Sequence, residues 1–384
     1  MKIQLLNKIA QIGLDELDSS YTIGEDLADA DGSMVRSAVM HEMEFSPELK
    51  AIARAGAGVN NIPLDRCSEA GIVVFNTPGA NANGVKELAV AALLLAARDI
   101  VGGIEWAKSL AGTPDVAKQV EKGKSKFAGT EIAGKTLGVI GLGAIGGLIA
   151  NTALSLGMKV IGCDPFLSVE GAWNLDHHVV RANTFDEIFE KCDYITLHVP
   201  ATKDTKNMIC AQSIAKMKDG VKIINLARAD LVNAADLTVA LENGKVSRYV
   251  TDFPTEDILN APSVVAIPHL GASTEEAENN CAVMAARQLD DYLKNGNIRN
   301  SVNFPALDMP RTTESRICVL HANIPAVITG ITAALAEEGL NIESMANKSK
   351  GDNAYTVMDV SSVPSDAAVA HIATIAGVTK VRVV

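Results

Sequence analysis

Three polar side chains, Arg228, Glu256 and His269, each stand just beyond a short apolar run: Ile223-Ile224-Asn225-Leu226-Ala227, Tyr249-Val250-Thr251 and Val264-Val265-Ala266-Ile267. Open α/β sheets bind ligands at the carboxyl ends of their strands, so three such residues would converge on one crevice. Their types suit hydride transfer at a carbon that bears a hydroxyl and a carboxylate. A histidine can exchange the hydroxyl proton. An arginine can hold the carboxylate through two parallel hydrogen bonds, and a nearby glutamate can orient the imidazole. For His269 taken by itself, a satisfied core histidine is an equally good reading.

A hydride needs an acceptor. Gly141-Leu142-Gly143-Ala144-Ile145-Gly146 follows the apolar stretch 135–140 and opens a helix-like one. In such a loop the first glycine permits the tight turn, the second lets backbone approach a pyrophosphate, and the third lets the helix pack close to the sheet. The helix amino terminus offers unpaired N–H groups to the phosphates. Asp164 stands 23 residues after Gly141 (164 minus 141), at the end of the run 159–163. A carboxylate there accepts hydrogen bonds from a ribose and repels a 2′-phosphate. Pro165 and Phe166 follow, with no arginine to neutralise such a phosphate, so the expected cofactor is NAD rather than NADP.

These residues need a scaffold, and 384 residues suit two or three domains. Strand-like runs such as 34–35 and 72–75 alternate with helical stretches up to residue 97. A second alternating series follows at 135–140, 159–163, 194–197, 222–226, 249–251 and 264–267, which predicts a parallel, doubly wound sheet. A helix is expected over about 274–295, stopped by Gly296-Asn297. The segment 303–310, with two prolines, reads as a linker. The tail then reads strand 316–321, helix 326–338, strands 342–348 and 355–360, helix 365–375 and strand 378–384. That is βαββαβ, expected to form a small independent module.

Composition narrows the function. A formal charge of -12 argues against a nucleic-acid or anionic-membrane binder, which needs a basic surface. Six cysteines without a Cys-x-x-Cys pair predict neither a disulfide framework nor a zinc site, and fit a reducing cytoplasm. No signal peptide or membrane-spanning run is read. His177-His178 lack helical ligand spacing and read as loop residues, so no metal is expected.

At this point the chain resembles the D-isomer-specific 2-hydroxyacid dehydrogenases, in particular those with an ACT regulatory tail. The resemblance rests on Arg54-Ala55-Gly56-Ala57-Gly58-Val59-Asn60-Asn61, Asn76-Thr77-Pro78-Gly79-Ala80-Asn81, the Gly141 loop and Leu197-His198-Val199-Pro200. It continues through Asn225-Leu226-Ala227-Arg228, Asp252-Phe253-Pro254-Thr255-Glu256 and His269-Leu270-Gly271-Ala272-Ser273-Thr274. It implies a Rossmann-type NAD-binding domain (98–277) inserted in a flavodoxin-like α/β substrate domain (1–97 and 278–305). A linker (306–311) and a ferredoxin-like ACT domain (312–384) would follow.

The resemblance also implies roles. Arg228, Glu256 and His269 would be catalytic. Thr77, Gly141, Gly143, Ala144, Ile145, Gly146, Asp164, Pro200, Leu226, Ala227, Arg228, Asp252, His269, Gly271 and Ala272 would surround NAD, with Asp252 near the nicotinamide carboxamide. Arg36, Ser37, Arg54, Gly58, Asn81, Arg228 and His269 would bind substrate, and Lys86 could add charge. In serine-inhibited relatives His321, Asn323 and Asn341 mark the effector site. The implied reaction is NAD-dependent oxidation of 3-phospho-D-glycerate to 3-phosphooxypyruvate, the first step of L-serine biosynthesis, by a homodimer or homotetramer. The rivals are a glyoxylate or hydroxypyruvate reductase and a non-enzymatic NADH-sensing corepressor.

The chain departs from the family pattern in places. Ala229 and Asn233 replace the usual Gly and Asp, the Asp252-Phe253 segment is one residue short, and Asp257 stands where Pro is usual. In the tail, Ala326 occupies a position usually held by Gly.

Overall fold

The computed structural model describes all 384 residues. They form two compact units, one of residues 1–81 and 278–384, the other of residues 82–277.

In the first unit, β1 (Lys2–Leu5), β2 (Thr22–Gly24), β3 (Gly32–Val35), β4 (Ala51–Arg54) and β5 (Val73–Phe75) form a parallel sheet in the order β2-β1-β3-β4-β5. This is the flavodoxin-like order. β3 and β5 are buried along their whole length; β5 reads as an unbroken apolar run for that reason, whereas β3 also buries Ser33. The helix Glu275–Asn295 covers this sheet through Ala282, Ala285, Ala286, Leu289, Tyr292 and Leu293, the stripe expected of one helical face.

The second unit carries β6 (Thr136–Ile140), β7 (Lys159–Cys163), β8 (Val180–Arg181), β9 (Tyr194–Leu197), β10 (Val221–Asn225), β11 (Val246–Thr251) and β12 (Val264–Ala266). They are parallel, in the order β12-β11-β10-β9-β6-β7-β8. The chain winds one way from β6 to β8 and the other way from β9 to β12, leaving a switch point between β6 and β9. The helix Ala82–Ala97, expected in the substrate domain, packs in this unit. Its Val85, Ala89, Ala92, Leu93 and Ala96 share a core with Leu137, Val139, Ile149 and Val250.

The tail makes an antiparallel sheet of β13 (Ser315–Ala322), β14 (Ile342–Lys350), β15 (Asn353–Val360) and β16 (Val378–Val383), in the order β14-β15-β13-β16. One face carries Ile317, Val319, Met358 and Val360 against its own helices Val327–Glu337 and Asp366–Thr374. The other face, with Cys318, Leu320, Tyr355 and Val357, joins the core around Leu289 and Tyr292. The independence expected of this module is therefore not what its packing gives.

Buried polar groups seal that junction. Arg316 and Asp359, both fully buried, pair through Nε–Oδ1 at 2.6 Å and Nη2–Oδ2 at 3.0 Å. Arg316 also donates to the Asn295 carbonyl, Arg382 to those of Tyr292 and Leu293, and the Tyr355 hydroxyl to that of Gly296. The Leu293 and Asn295 carbonyls lie in the last turn of the helix Glu275–Asn295, where the helix itself offers no partner, so the tail supplies part of the cap; the Tyr292 carbonyl also accepts the Gly296 N–H.

Candidate active site

The cofactor loop begins where β6 ends. Gly141 has φ +90, a left-handed value, and a side chain there would press on the His198 carbonyl. A Cβ at Gly146 would collide with the Gly141 carbonyl oxygen, so the helix Ala144–Ser155 can start this close to the strand only with glycine. At Gly143 a Cβ would meet nothing, and Gly143 and Ala144 are exposed, leaving the helix amino terminus open to a ligand. Asp164, at the end of β7, accepts the Leu142 N–H on Oδ2 and the Phe166 N–H on Oδ1, both at 2.9 Å. Its carboxylate is thus fixed to the glycine loop itself. Beyond β9, the His198 imidazole bonds Thr196 Oγ1 at 2.8 Å, and burial pushes its pKa down to about 3, so it stays neutral.

The carboxyl ends of β10, β11 and β12 lead to the residues expected to be catalytic. Asn225, fully buried, shapes the turn after β10: its Oδ1 accepts the Ala227 and Arg228 N–H groups, while its Nδ2 donates to the Arg228 carbonyl and to the Tyr249 hydroxyl. Arg228 is thereby held in extended backbone with its guanidinium exposed. Phe253 follows β11. Its ring centroid lies 5.5 Å from Arg228 Cζ and 4.4 Å from the His269 ring, the latter pair tilted by 46°. One aromatic ring therefore touches both expected catalytic groups.

Asp252 is 1 % exposed, and its Oδ1 has no hydrogen-bond partner. Burial raises its pKa, opposed by the charges of His269 and Arg228 and by the Gly271 N–H. An orphaned buried acceptor of this kind fits an amide N–H brought by a ligand. Glu256 opens the short helix Glu256–Leu259, is exposed, and makes no hydrogen bond or ion pair with His269. The shortened Asp252–Glu256 stretch delivers Phe253 to the imidazole, where the resemblance implies a carboxylate.

In the first unit, the loop after β3 is gathered by Asn7, whose Oδ1 accepts the N–H groups of Arg36, Ser37 and Ala38 at 2.9 to 3.0 Å. The Arg36 guanidinium is paired with Glu278. The Arg54 guanidinium lies against Gly56, two residues before Gly58. Thr77 is fully buried, and the Asn81 side-chain oxygen is buried with no partner. Lys86, in the second unit, is held by Asn83 and Glu87 of its own helix.

Asn7, Asn225 and Phe253 were not singled out from sequence. Asn225 and Phe253 lie inside quoted motifs, but their roles depend on contacts that no spacing encodes.

The expected effector residues are engaged within the tail. His321 is buried, with Nδ1 on the Ala322 carbonyl and Nε2 on Thr356 Oγ1. Asn323 donates to the Gly351 carbonyl and Asn341 to Glu343. The His177 and His178 ring centroids lie 3.8 Å apart, the rings tilted by 41°, on an exposed loop beside Asp176.

Residues 90–271 match the family model described as D-isomer specific 2-hydroxyacid dehydrogenase, NAD binding domain. The chain is 36% identical over 317 residues to a D-3-phosphoglycerate dehydrogenase of Synechocystis sp., covering 79% of this chain and 54% of the relative. It is 35% identical over 325 residues to the Bacillus subtilis enzyme of that name, covering 80% and 59%. It therefore spans little more than half the length of these curated relatives. Among solved structures, NAD+-bound 3-phosphoglycerate dehydrogenase of Entamoeba histolytica superposes with a TM-score of 0.62 at 29% identity, over 80% of this chain and 99% of that one. Fold order, glycine loop and sequence similarity agree: residues 90–271 carry the NAD-binding domain of the D-isomer-specific 2-hydroxyacid dehydrogenases.

Proposed function

We propose that the chain catalyses NAD-dependent oxidation of 3-phospho-D-glycerate to 3-phosphooxypyruvate. The observation that carries this reading is the grouping of Arg228 and His269 around Phe253 at the carboxyl ends of β10, β11 and β12, beside the buried acceptor of Asp252.

When bound, the nicotinamide supplies a hydride acceptor. Arg228 binds the substrate carboxylate through parallel hydrogen bonds and draws electron density from the C2 oxygen. An imidazole nitrogen of His269 takes the hydroxyl proton as the C2–H bond yields its electron pair and the carbonyl forms. Asp252 Oδ1 accepts an amide N–H of the carboxamide. Asp164, anchored by two backbone N–H groups, receives the ribose hydroxyls and repels a 2′-phosphate, which favours NAD. Arg36, Ser37, Arg54, Gly58 and Asn81 are assigned to the substrate, with the phosphate on the arginines. Glu256 is assigned to orienting His269, the role that the resemblance implies for it.

The chain is further proposed to work in the cytoplasm as a homodimer or homotetramer. Six free cysteines suit the first, and the exposed Ile100, Val101 and Ile104 of the helix Ile100–Ser109, which buries none of its residues, suit the second. Inhibition by L-serine through His321 gains no support from a histidine whose ring nitrogens are both occupied.

The deciding experiment compares NADH oxidation with 3-phosphooxypyruvate and with hydroxypyruvate. Faster turnover of the phosphorylated acid is expected. Equal rates would make the chain a general 2-keto acid reductase, and NADH binding without turnover would make it a sensor.

A further inference from the structure

The amino-terminal edge of the sheet in the second unit, opposite the ends that carry Gly141, Arg228 and His269, holds a second polar pocket. It has a volume of about 160 Å³ and is lined by Thr130, Lys135, Tyr194, Lys218 and Lys222, with Asp193 and Asp219. Strand register builds it. Tyr194, the first residue of β9, is level with Lys222 of β10 on one side and Leu137 of β6 on the other, and Lys135 immediately precedes β6.

The charges do not balance there. Asp193 is paired with Lys218 at 2.9 Å and also accepts the Thr136 N–H, and Asp219 is paired with Lys245 at 2.8 Å. Lys135 and Lys222 form no ion pair. The Lys222 ammonium instead lies 5.0 Å from the Tyr194 ring centroid. In a chain with a net charge of -12, two unpaired cations at one cavity are a local excess of positive charge. Tyr194 adds an independent sign: it is 1 % exposed, and its buried hydroxyl makes no well-formed hydrogen bond, with only a loose approach to Thr130 on the same pocket wall. Buried polar groups are nearly always paired, so this one is matched to something that enters.

We propose that this pocket binds a small oxyanion of the phosphate class, held by the Lys135 and Lys222 ammonium groups, with the Tyr194 hydroxyl donating a hydrogen bond. The volume excludes a nucleotide, since pockets for drug-sized ligands begin at roughly 300 Å³. An anion would relieve the strain already present, because burial first, and then the charge of Lys135, lowers the pKa of Lys222.

The test is titration calorimetry of the full chain with inorganic phosphate at fixed ionic strength, using the wild type, Lys222→Gln and Lys135→Gln. Phosphate at the Gly141 loop or at the substrate arginines is untouched by these changes, so the binding they remove belongs to this pocket. Each is expected to weaken that binding about tenfold or more, as loss of one close charge at a partly buried site implies. A readout independent of folding is amine acetylation of the wild type, followed by mass spectrometry, in which phosphate but not equivalent chloride should protect Lys222. Phosphate binding unchanged in both folded variants, or Lys222 labelling unaffected by phosphate, would overturn the proposal.

Discussion

The His269 imidazole rests 4.4 Å from the Phe253 ring, tilted by 46°, and the same ring lies 5.5 Å from Arg228 Cζ. The groups proposed to meet the carboxylate and the neighbouring C2 hydroxyl of a 2-hydroxy acid are thus held apart by an aromatic ring that cannot itself ionise. Replacing His269 with Ala should lower kcat by on the order of 100-fold or more while NADH fluorescence still reports binding. Wild-type turnover in that variant would remove His269 from the mechanism.

Phe253→Ala should act on both neighbours at once. Loss of the spacer leaves the imidazole and the guanidinium free to shift, and misplacement by about 1 Å can cost roughly 100-fold in rate. The steady-state signature would be a fall in kcat with a rise in KM for the 2-keto acid and no change in KM for NADH. Phe253→Tyr, which keeps the ring, should retain most of the activity.

Asp164 joins two functions in one carboxylate, since the oxygens that would meet the ribose also accept the Leu142 and Phe166 N–H groups. Asp164→Ala should weaken NADH binding by about tenfold or more, because a charge-assisted hydrogen bond contributes roughly 1.5–3 kcal/mol. It should also narrow the preference for NADH over NADPH. Fluorescence titration with both cofactors reads the two effects separately.

Ala326 precedes the helix Val327–Glu337 with φ +71. A left-handed backbone costs an L residue about 1–2 kcal/mol, and the extra freedom of glycine in the unfolded chain offsets about half of that. Ala326→Gly should therefore stabilise the tail by about 0.5–1 kcal/mol, measured as slower amide hydrogen exchange in Val327–Glu337. Faster exchange would mean that the strain is relieved in solution.

For Asp359, burial alone would raise the carboxyl pKa, but the Arg316 guanidinium and the N–H and hydroxyl of Thr312 outweigh it and hold the group below its ordinary 3.8. A carboxylate depressed on folding contributes stability that is complete above the ordinary value and is lost as pH falls through the lower, folded-state one. Acid titration followed by limited proteolysis should show the tail loosening only below that ordinary value. Asp359→Ala, which leaves Arg316 buried and unpaired, should cost about 3–5 kcal/mol at neutral pH.

Much of this architecture was legible in the amino-acid order, and the exceptions have physical reasons. β7 and β9 lie where their apolar runs end, because parallel strands covered on both faces leave little choice of boundary. β4, Ala-Ile-Ala-Arg, has weak strand propensity and owes its conformation to pairing with β3 and β5. The helix Ala82–Ala97 was recognisable as a helix, but its pattern does not say which sheet it covers. Arg228 and His269 follow their strands as expected. The ring between them does not announce itself, and the distance from His269 to Glu256 depends on a loop length whose path no rule supplies. For the tail, the run Ile317-Cys318-Val319-Leu320 did carry the missing information: both alternating sets are apolar, which predicts two covered faces.

The capping of the helix Glu275–Asn295 by Arg316, Tyr355 and Arg382 bears on how such chains can be reshuffled. A gene crossover placed in the proline-containing segment near residue 306 would part a helix from the side chains that close its carbonyls. It would also leave two buried arginines facing a foreign surface. The smallest piece that can be exchanged without that mismatch is the helix together with the tail, so heredity should treat residues from about Glu275 onward as a single cassette.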